Sequence, residues 1–127
     1  MFDTELVAEI LNQILVAAYR IERRFVSIGR ADDFLESNEG LDRLDAIAMM
    51  LITIGESLRN LEKRAGDTLL KRYPEVDWKG AKGLRNILSH NYFGVNAKAI
   101  FAICRDKIPG LIATIEKIQK ELADGPS

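Results

Sequence analysis

The single histidine of this chain stands in a segment whose side chains suit phosphate chemistry. Residues 85–92 read Arg-Asn-Ile-Leu-Ser-His-Asn-Tyr. Arg85 carries a permanent charge and can grip a phosphate with two parallel hydrogen bonds. His90 titrates near neutral pH, so it can take or give the proton of a ribose 2′-hydroxyl or of a leaving oxygen, and Asn86 can orient either group. This set suits cleavage of an RNA phosphodiester, although a histidine near a helix end often only caps the last carbonyls.

A helix between Asp77 and Gly94 is needed to hold these side chains in register. Asp77 is a good N-cap and Gly94 a typical C-terminal stop, whereas Gly80 and Gly83 each weaken the helix by about 1 kcal/mol relative to alanine. At about 100° per residue, one side is apolar and faces a core, and the other is polar without a carboxylate. The first side carries Leu84, Ile87, Leu88 and Asn91; the second carries Lys79, Lys82, Arg85, Asn86, Ser89 and His90, with Tyr92 in the row of Arg85 and Ser89 if the helix reaches it.

The pattern Arg85-x4-His90-x-Tyr92, with asparagine after the arginine, resembles the signature of the HEPN superfamily (higher eukaryotes and prokaryotes nucleotide-binding domains). Within it, the chain is most similar to the HepT toxins of HepT/MntA toxin–antitoxin systems. The flanks that carry the likeness are Trp78, Gly83-Leu84-Arg85-Asn86, Tyr92-Phe93-Gly94 and the upstream Ile54-Gly55-Glu56. The likeness extends over nearly the whole chain.

The resemblance implies an endoribonuclease with Arg85 and His90 as catalytic residues, at a site on the interface of a homodimer. The substrate would be tRNA or messenger RNA, and a minimal nucleotidyltransferase antitoxin would transfer an adenylyl group from ATP to Tyr92, leaving O-AMP-tyrosine. The supporting residues are Asn86, Ser89, Tyr92 and Glu56, and Lys79 and Lys82 form a basic face for RNA. Neither a cofactor nor a metal is expected, because one histidine without clustered carboxylates makes a thin ligand set.

The role of Glu56 is open at the level of sequence. It follows Gly55 in the predicted second helix, where a glycine favours close approach by another helix. The carboxylate either holds Arg85 in place or pairs with an exposed lysine or arginine, and contact between distant residues cannot be read from spacing.

The composition indicates one ordinary globular domain, residues 1–127, with enough apolar residues for a core. The net charge is −1, so RNA binding must rest on a local patch rather than on a global cationic field. Cys104 is the only cysteine and is expected to be a buried apolar residue. The first ten residues carry acids where a signal peptide needs cations, and no apolar run approaches the length of a membrane span, so a cytoplasmic protein is expected.

Hydrophobic residues recur at steps of three and four along three long segments, which predicts amphipathic helices. Asp3 or Thr4 should cap the first, which Gly29 ends; Ser37 or Asn38 should cap the second, which Gly66 ends; Asn96 should cap the last, which Pro109 kinks or splits. The stripes are Leu6, Ile10, Ile14, Ala18, Ile21, Phe25 and Ile28; Leu41, Leu44, Ile47, Leu51, Ile54, Leu58 and Leu61; and Ile100, Phe101, Cys104, Ile108, Leu111, Ile115, Ile118 and Leu122. The predicted fold is an all-α, up-and-down, HEPN-like bundle of four to five main helices.

Two functions without catalysis stand beside the ribonuclease. The polar half of the motif helix suits a nucleotide- or partner-binding subunit of a minimal nucleotidyltransferase, and a helical bundle of this size also suits a plain interaction protein. Cleavage of RNA by the purified protein in the presence of EDTA, dependent on His90, separates the ribonuclease from both.

Overall fold

The computed structural model describes residues 3–90 and 97–125, except for the side chains at 85–87, 89 and 90. Within these ranges the chain forms six α-helices and no strand, which confirms the all-α bundle. The helices are α1 (Thr4–Phe25), α2 (Asn38–Ala65), α3 (Thr68–Lys71), α4 (Trp78–His90), α5 (Ala97–Asp106) and α6 (Ile108–Ala123), and a 3₁₀ turn (Ala31–Phe34) joins α1 to α2. Over the described residues, none of the helices has the length and apolar character of a bilayer span.

Caps set the ends of the two longest helices. The Asp3 carboxylate accepts a hydrogen bond from the Leu6 backbone N–H at 3.2 Å, and the Ser37 hydroxyl accepts one from Gly40 at 2.9 Å. Gly66 ends α2 with a φ of 79°, a backbone conformation that other residues adopt at a cost. The predicted N-caps and the predicted end of α2 are therefore confirmed.

The expected end of α1 at Gly29 is wrong, because the helix ends at Phe25. Beyond it, the Ile28 backbone N–H bonds to the Phe25 carbonyl at 2.9 Å, and this turn places Ile28 in the core. The Asp33 carboxylate then accepts hydrogen bonds from the backbone N–H groups of Gly29 and Arg30. A side chain of the following 3₁₀ turn thus binds N–H groups that a longer helix would have used.

α1 packs against α2 and α6, α2 packs against α4, and α5 packs against α6 and the 3₁₀ turn. The predicted stripes supply most of the core, but Leu41 is 40% exposed and its predicted burial is wrong. The reason lies at Gly40, where a Cβ atom would collide with the Asp33 carbonyl oxygen. The 3₁₀ turn therefore meets α2 at Gly40, and Leu41, about 100° further round the helix, points away from that contact.

The last predicted helix is split at Pro109. α5 ends at Asp106, and Pro109 lies in the first turn of α6, where its missing N–H is no loss. Cys104 is buried, as predicted, and burial raises the pKa of its thiol to about 12. The predicted cap at Asn96 and the predicted stop at Gly94 lie outside the described residues.

Candidate active site

The first turn of α4 is fixed by its N-cap. The Asp77 carboxylate accepts a hydrogen bond from the Gly80 backbone N–H at 3.0 Å, which confirms the predicted cap. A Cβ atom at position 80 would collide with that carboxylate, whereas one at Gly83 would meet no heavy atom of the described residues within 4 Å. Gly80 therefore leaves room for the cap, and of these two glycines it is Gly83 whose surface is open among the described residues.

We expect Asp77→Ala to lower the free energy of unfolding by about 1 kcal/mol, the usual cost of an N-cap. Asp77→Asn is the matched control, because its amide oxygen still accepts from Gly80 and only the charge is lost. Urea unfolding followed by circular dichroism measures both variants. If both variants lose the same free energy of unfolding, the charge at the helix terminus is responsible, and the hydrogen bond is not the main contribution.

Hydrogen bonds of Trp78 and Tyr73 connect the start of α4 to α6. The Trp78 indole N–H donates to the Tyr73 carbonyl oxygen at 2.8 Å, and the Tyr73 hydroxyl donates to the Glu121 carboxylate at 2.7 Å. Burial, and then the bond to Glu121, raise the pKa of Tyr73 to about 12, so the phenol stays a neutral donor. The Lys117 ammonium lies 5.6 Å from the centre of the Tyr73 ring.

Two residues of α2 hold the middle of α4 at Lys82. The Arg59 Nε–H donates to the Lys82 carbonyl oxygen at 3.2 Å, and the Lys82 ammonium pairs with the Glu62 carboxylate at 2.5 Å. On the opposite side, Leu88 is buried and Leu84 packs partly buried against the core. The predicted apolar side of α4 thus faces the core at these two positions, and its rotation is set by contacts from both sides.

The motif residues Arg85, Asn86, Ser89 and His90 lie in the last two turns of α4, which is helical up to His90. Arg85 and Ser89 are therefore one turn apart along the helix, and so are Asn86 and His90. The side chains of these four residues, and the whole of Tyr92, lie outside the described part of the structure. Their catalytic, supporting and modification roles stay predictions.

The other predicted site residues lie around this helix. Glu56 is exposed on α2, one turn before Arg59, and contact with Arg85 stays one of the two alternatives left by the sequence. Lys79 is exposed, but Lys82 is half-buried and its charge is matched by Glu62, so Lys79 is the freer of the two lysines predicted to face RNA. Arg59 was not predicted to belong here, although its position three residues after Glu56 places it on a neighbouring part of the α2 surface.

A cavity of about 320 Å³ lies between α2, the start of α4 and the junction of α5 with α6. Ala81 and Leu84 line it, so it opens on the apolar side of α4 rather than on the side of the motif. Its walls are mostly aliphatic, and Asp77 at its rim is already engaged as the N-cap. No described residue of the motif, residues 85–92, lines the cavity.

Comparisons with known proteins point to one family. A family model described as "Ribonuclease HepT-like" matches residues 14–118. A protein of Methanocaldococcus jannaschii named "Putative RNase" is 36% identical over 91 residues, which cover 72% of this chain and 69% of that protein. Another of that name, from Caldanaerobacter subterraneus subsp. tengcongensis, is 36% identical over 77 residues, covering 60% of this chain and 65% of the relative.

The "Probable ribonuclease HepT" of Thermococcus cleftensis is 29% identical over 75 residues, covering 59% of this chain and 64% of the relative. The matched part thus spans slightly less than two thirds of the length of the second and third relatives. No solved structure matches the chain.

Proposed function

This chain belongs to the HepT-like ribonuclease family, and from that premise we propose that it is a metal-independent endoribonuclease toxin. The observation that carries the proposal is the extent of the family match, residues 14–118, which includes the whole of α4 with Arg85 and His90. Relatives named as RNases support the same activity. The contact of α4 with α2, and its link through Tyr73 to Glu121 of α6, supply the rigid support that such a site needs.

The proposed reaction is an in-line attack of a ribose 2′-oxygen on its own phosphate. The bond from the 2′-oxygen to phosphorus forms and the bond to the 5′-oxygen breaks, so the products are a 2′,3′-cyclic phosphate and a 5′-hydroxyl. His90 takes the 2′-hydroxyl proton as a general base or gives a proton to the leaving oxygen as a general acid. Arg85 neutralises the charge on the phosphate, and Asn86, with support from Ser89, orients the reacting groups.

One histidine in each chain leaves one of the two proton-transfer steps unassigned. A two-fold dimer supplies the second histidine if the two motif segments, residues 85–92, meet near the axis. Gly83 fits this arrangement, because a Cβ atom there would meet nothing within 4 Å among the described residues. The active unit of the proposal is therefore a homodimer with a composite site.

We expect light scattering to give the mass of a dimer at the protein concentrations that cleave RNA. The physical reason is that each site needs a base on one side of the phosphate and an acid on the other. Arginine or glutamate at Gly83 should weaken the dimer and cleavage together, with Gly83→Ala as the mild control. A monomer at tens of micromolar that still cuts RNA would contradict the composite site.

The direct test of the proposed function is incubation of purified protein with RNA in excess EDTA. We expect cleavage products that end in a 2′,3′-cyclic phosphate. These ends are recognised because a phosphatase removes the phosphate only after the ring has been opened. A partner nucleotidyltransferase would neutralise the toxin, and the substrate would be tRNA or messenger RNA. Wild-type protein that binds nucleotide but leaves every RNA intact would instead favour a binding subunit without chemistry.

A further inference from the structure

Arg59 reaches from α2 to the backbone of the motif helix. Its Nε–H donates to the Lys82 carbonyl oxygen at 3.2 Å, and the residue is exposed. In an α-helix the carbonyl of residue 82 also accepts from the N–H of residue 86. The guanidinium of Arg59 therefore lies level with the backbone of Asn86, one turn before His90.

Most of the hydrogen-bonding capacity of Arg59 is not used in this contact. A guanidinium carries five N–H donors in a fixed fork, and the bond to Lys82 takes one. No carboxylate in the described residues lies within ion-pair distance of Arg59. Glu62 is one turn away on α2, but it pairs with Lys82 instead. The charge of Arg59 is therefore available to an anion beside the motif.

The surroundings of Arg59 favour an anion with several charges. Lys63, one turn further along α2, and Lys79, one turn before Lys82 on α4, are both exposed, and neither has an ion pair among the described residues. The chain as a whole has a net charge of −1, so this local excess of cations does not simply reflect composition. A phosphodiester backbone, with one negative charge at each phosphate, is the ligand that such a row of cations would bind.

We propose that Arg59 is a second phosphate-binding arginine of the RNA site, contributed by α2 and directed at the phosphate next to the one that Arg85 contacts. The inference rests on the proposed function, because the polyanion is the RNA substrate. Lys63 on α2 and Lys79 on α4 extend this row of cations, whereas Lys82 is held by Glu62 and orients α4 instead.

The test compares Arg59→Gln with wild type in two assays. The amide of glutamine keeps an N–H donor but removes the charge. In the His90→Ala background, binding of a fluorescent single-stranded RNA should weaken about fourfold at 0.15 M salt, and the slope of log K against log salt should fall by about 0.7, the loss of one phosphate contact. In the active protein, KM should rise by the same factor with kcat unchanged, and Arg59→Lys should restore most of the slope.

Arg23→Gln is the matched control, since Arg23 is an exposed arginine in the last turn of α1, and it should leave binding, slope and kinetics at wild-type values. An unchanged salt slope in Arg59→Gln, or a fall in kcat without a rise in KM, would overturn the inference and assign Arg59 to holding α4 alone. Wild-type protein that neither binds nor cuts RNA would overturn the proposed function itself, so the two failures are distinguishable.

Discussion

RNA cleavage by the His90→Ala variant is expected to fall by about 10²–10⁴, the usual contribution of a positioned proton donor or acceptor. Arg85→Ala should have a comparable effect, because the phosphate would then lose its nearest fixed charge. Any growth toxicity should disappear with the activity. Single-turnover cleavage of a defined RNA in excess EDTA measures the rates, and circular dichroism with thermal unfolding checks the fold.

The fold should survive both substitutions. The motif helix is held by Asp77 at its start, by Arg59 and Glu62 at Lys82, and by the buried Leu88, none of which is altered. Ser89→Ala, at a residue proposed only to support Asn86, should cost far less activity than either substitution. A His90→Ala protein that cuts RNA at the wild-type rate would refute the mechanism.

Local signals made much of the fold predictable. Asp3, Ser37, Gly66 and Asp77 each act through hydrogen bonds or a φ angle within a few residues of their own position, so their roles can be read from a short window. The apolar stripes were equally predictable from sequence, because helical periodicity alone places their side chains on one face.

The two errors in the fold have a common physical cause. Asp33 accepts hydrogen bonds from the backbone N–H groups that follow α1, and the carbonyl of the same residue approaches Gly40. Both contacts belong to the 3₁₀ turn and join different elements. No periodic pattern in α1 or α2 encodes them, so the end of α1 and the exposure of Leu41 were missed.

At the site, too, the local features were predictable from sequence and the contacts between distant residues were not. The spacing of Arg85, Asn86 and His90 on one helix followed from sequence, and the helical backbone of α4 agrees with it. The contacts of Arg59 and Glu62 with Lys82 span twenty residues or more, and nothing in the sequence indicates them. They change the reading of the basic face, because the charge of Lys82 is matched by Glu62 and an exposed arginine that was not predicted lies beside it.

Adenylylation of Tyr92 by a coexpressed nucleotidyltransferase is expected to switch the ribonuclease off. The tyrosine oxygen would attack the α-phosphate of ATP, lose its proton and release pyrophosphate. The new phosphodiester would place a negative charge and a bulky base two residues after His90. It would compete with RNA for Arg85 and block access to the site, by the same charge logic as other phosphate modifications.

The chain contains three tyrosines, and the two that the structure describes are useful controls. Tyr73 is 5% exposed and its hydroxyl donates to Glu121, so a transferase cannot reach it. Tyr19 is 43% exposed, although its hydroxyl is bonded to Glu116, and it is the matched accessible tyrosine. Tyr92→Phe should therefore abolish modification, while Tyr19→Phe should leave it unchanged.

Intact mass spectrometry after coexpression with an active nucleotidyltransferase decides the matter. Wild-type and Tyr19→Phe chains should gain the mass of an adenylyl group and lose RNA cleavage, and Tyr92→Phe should gain none and escape neutralisation even if its own cleavage is weaker. The pKa of Tyr19 is raised, chiefly by its hydrogen bond to Glu116, so its hydroxyl is a neutral donor to that carboxylate at neutral pH. Adenylyl groups found on Tyr19 alone, or an unmodified chain beside a competent transferase, would refute the switch.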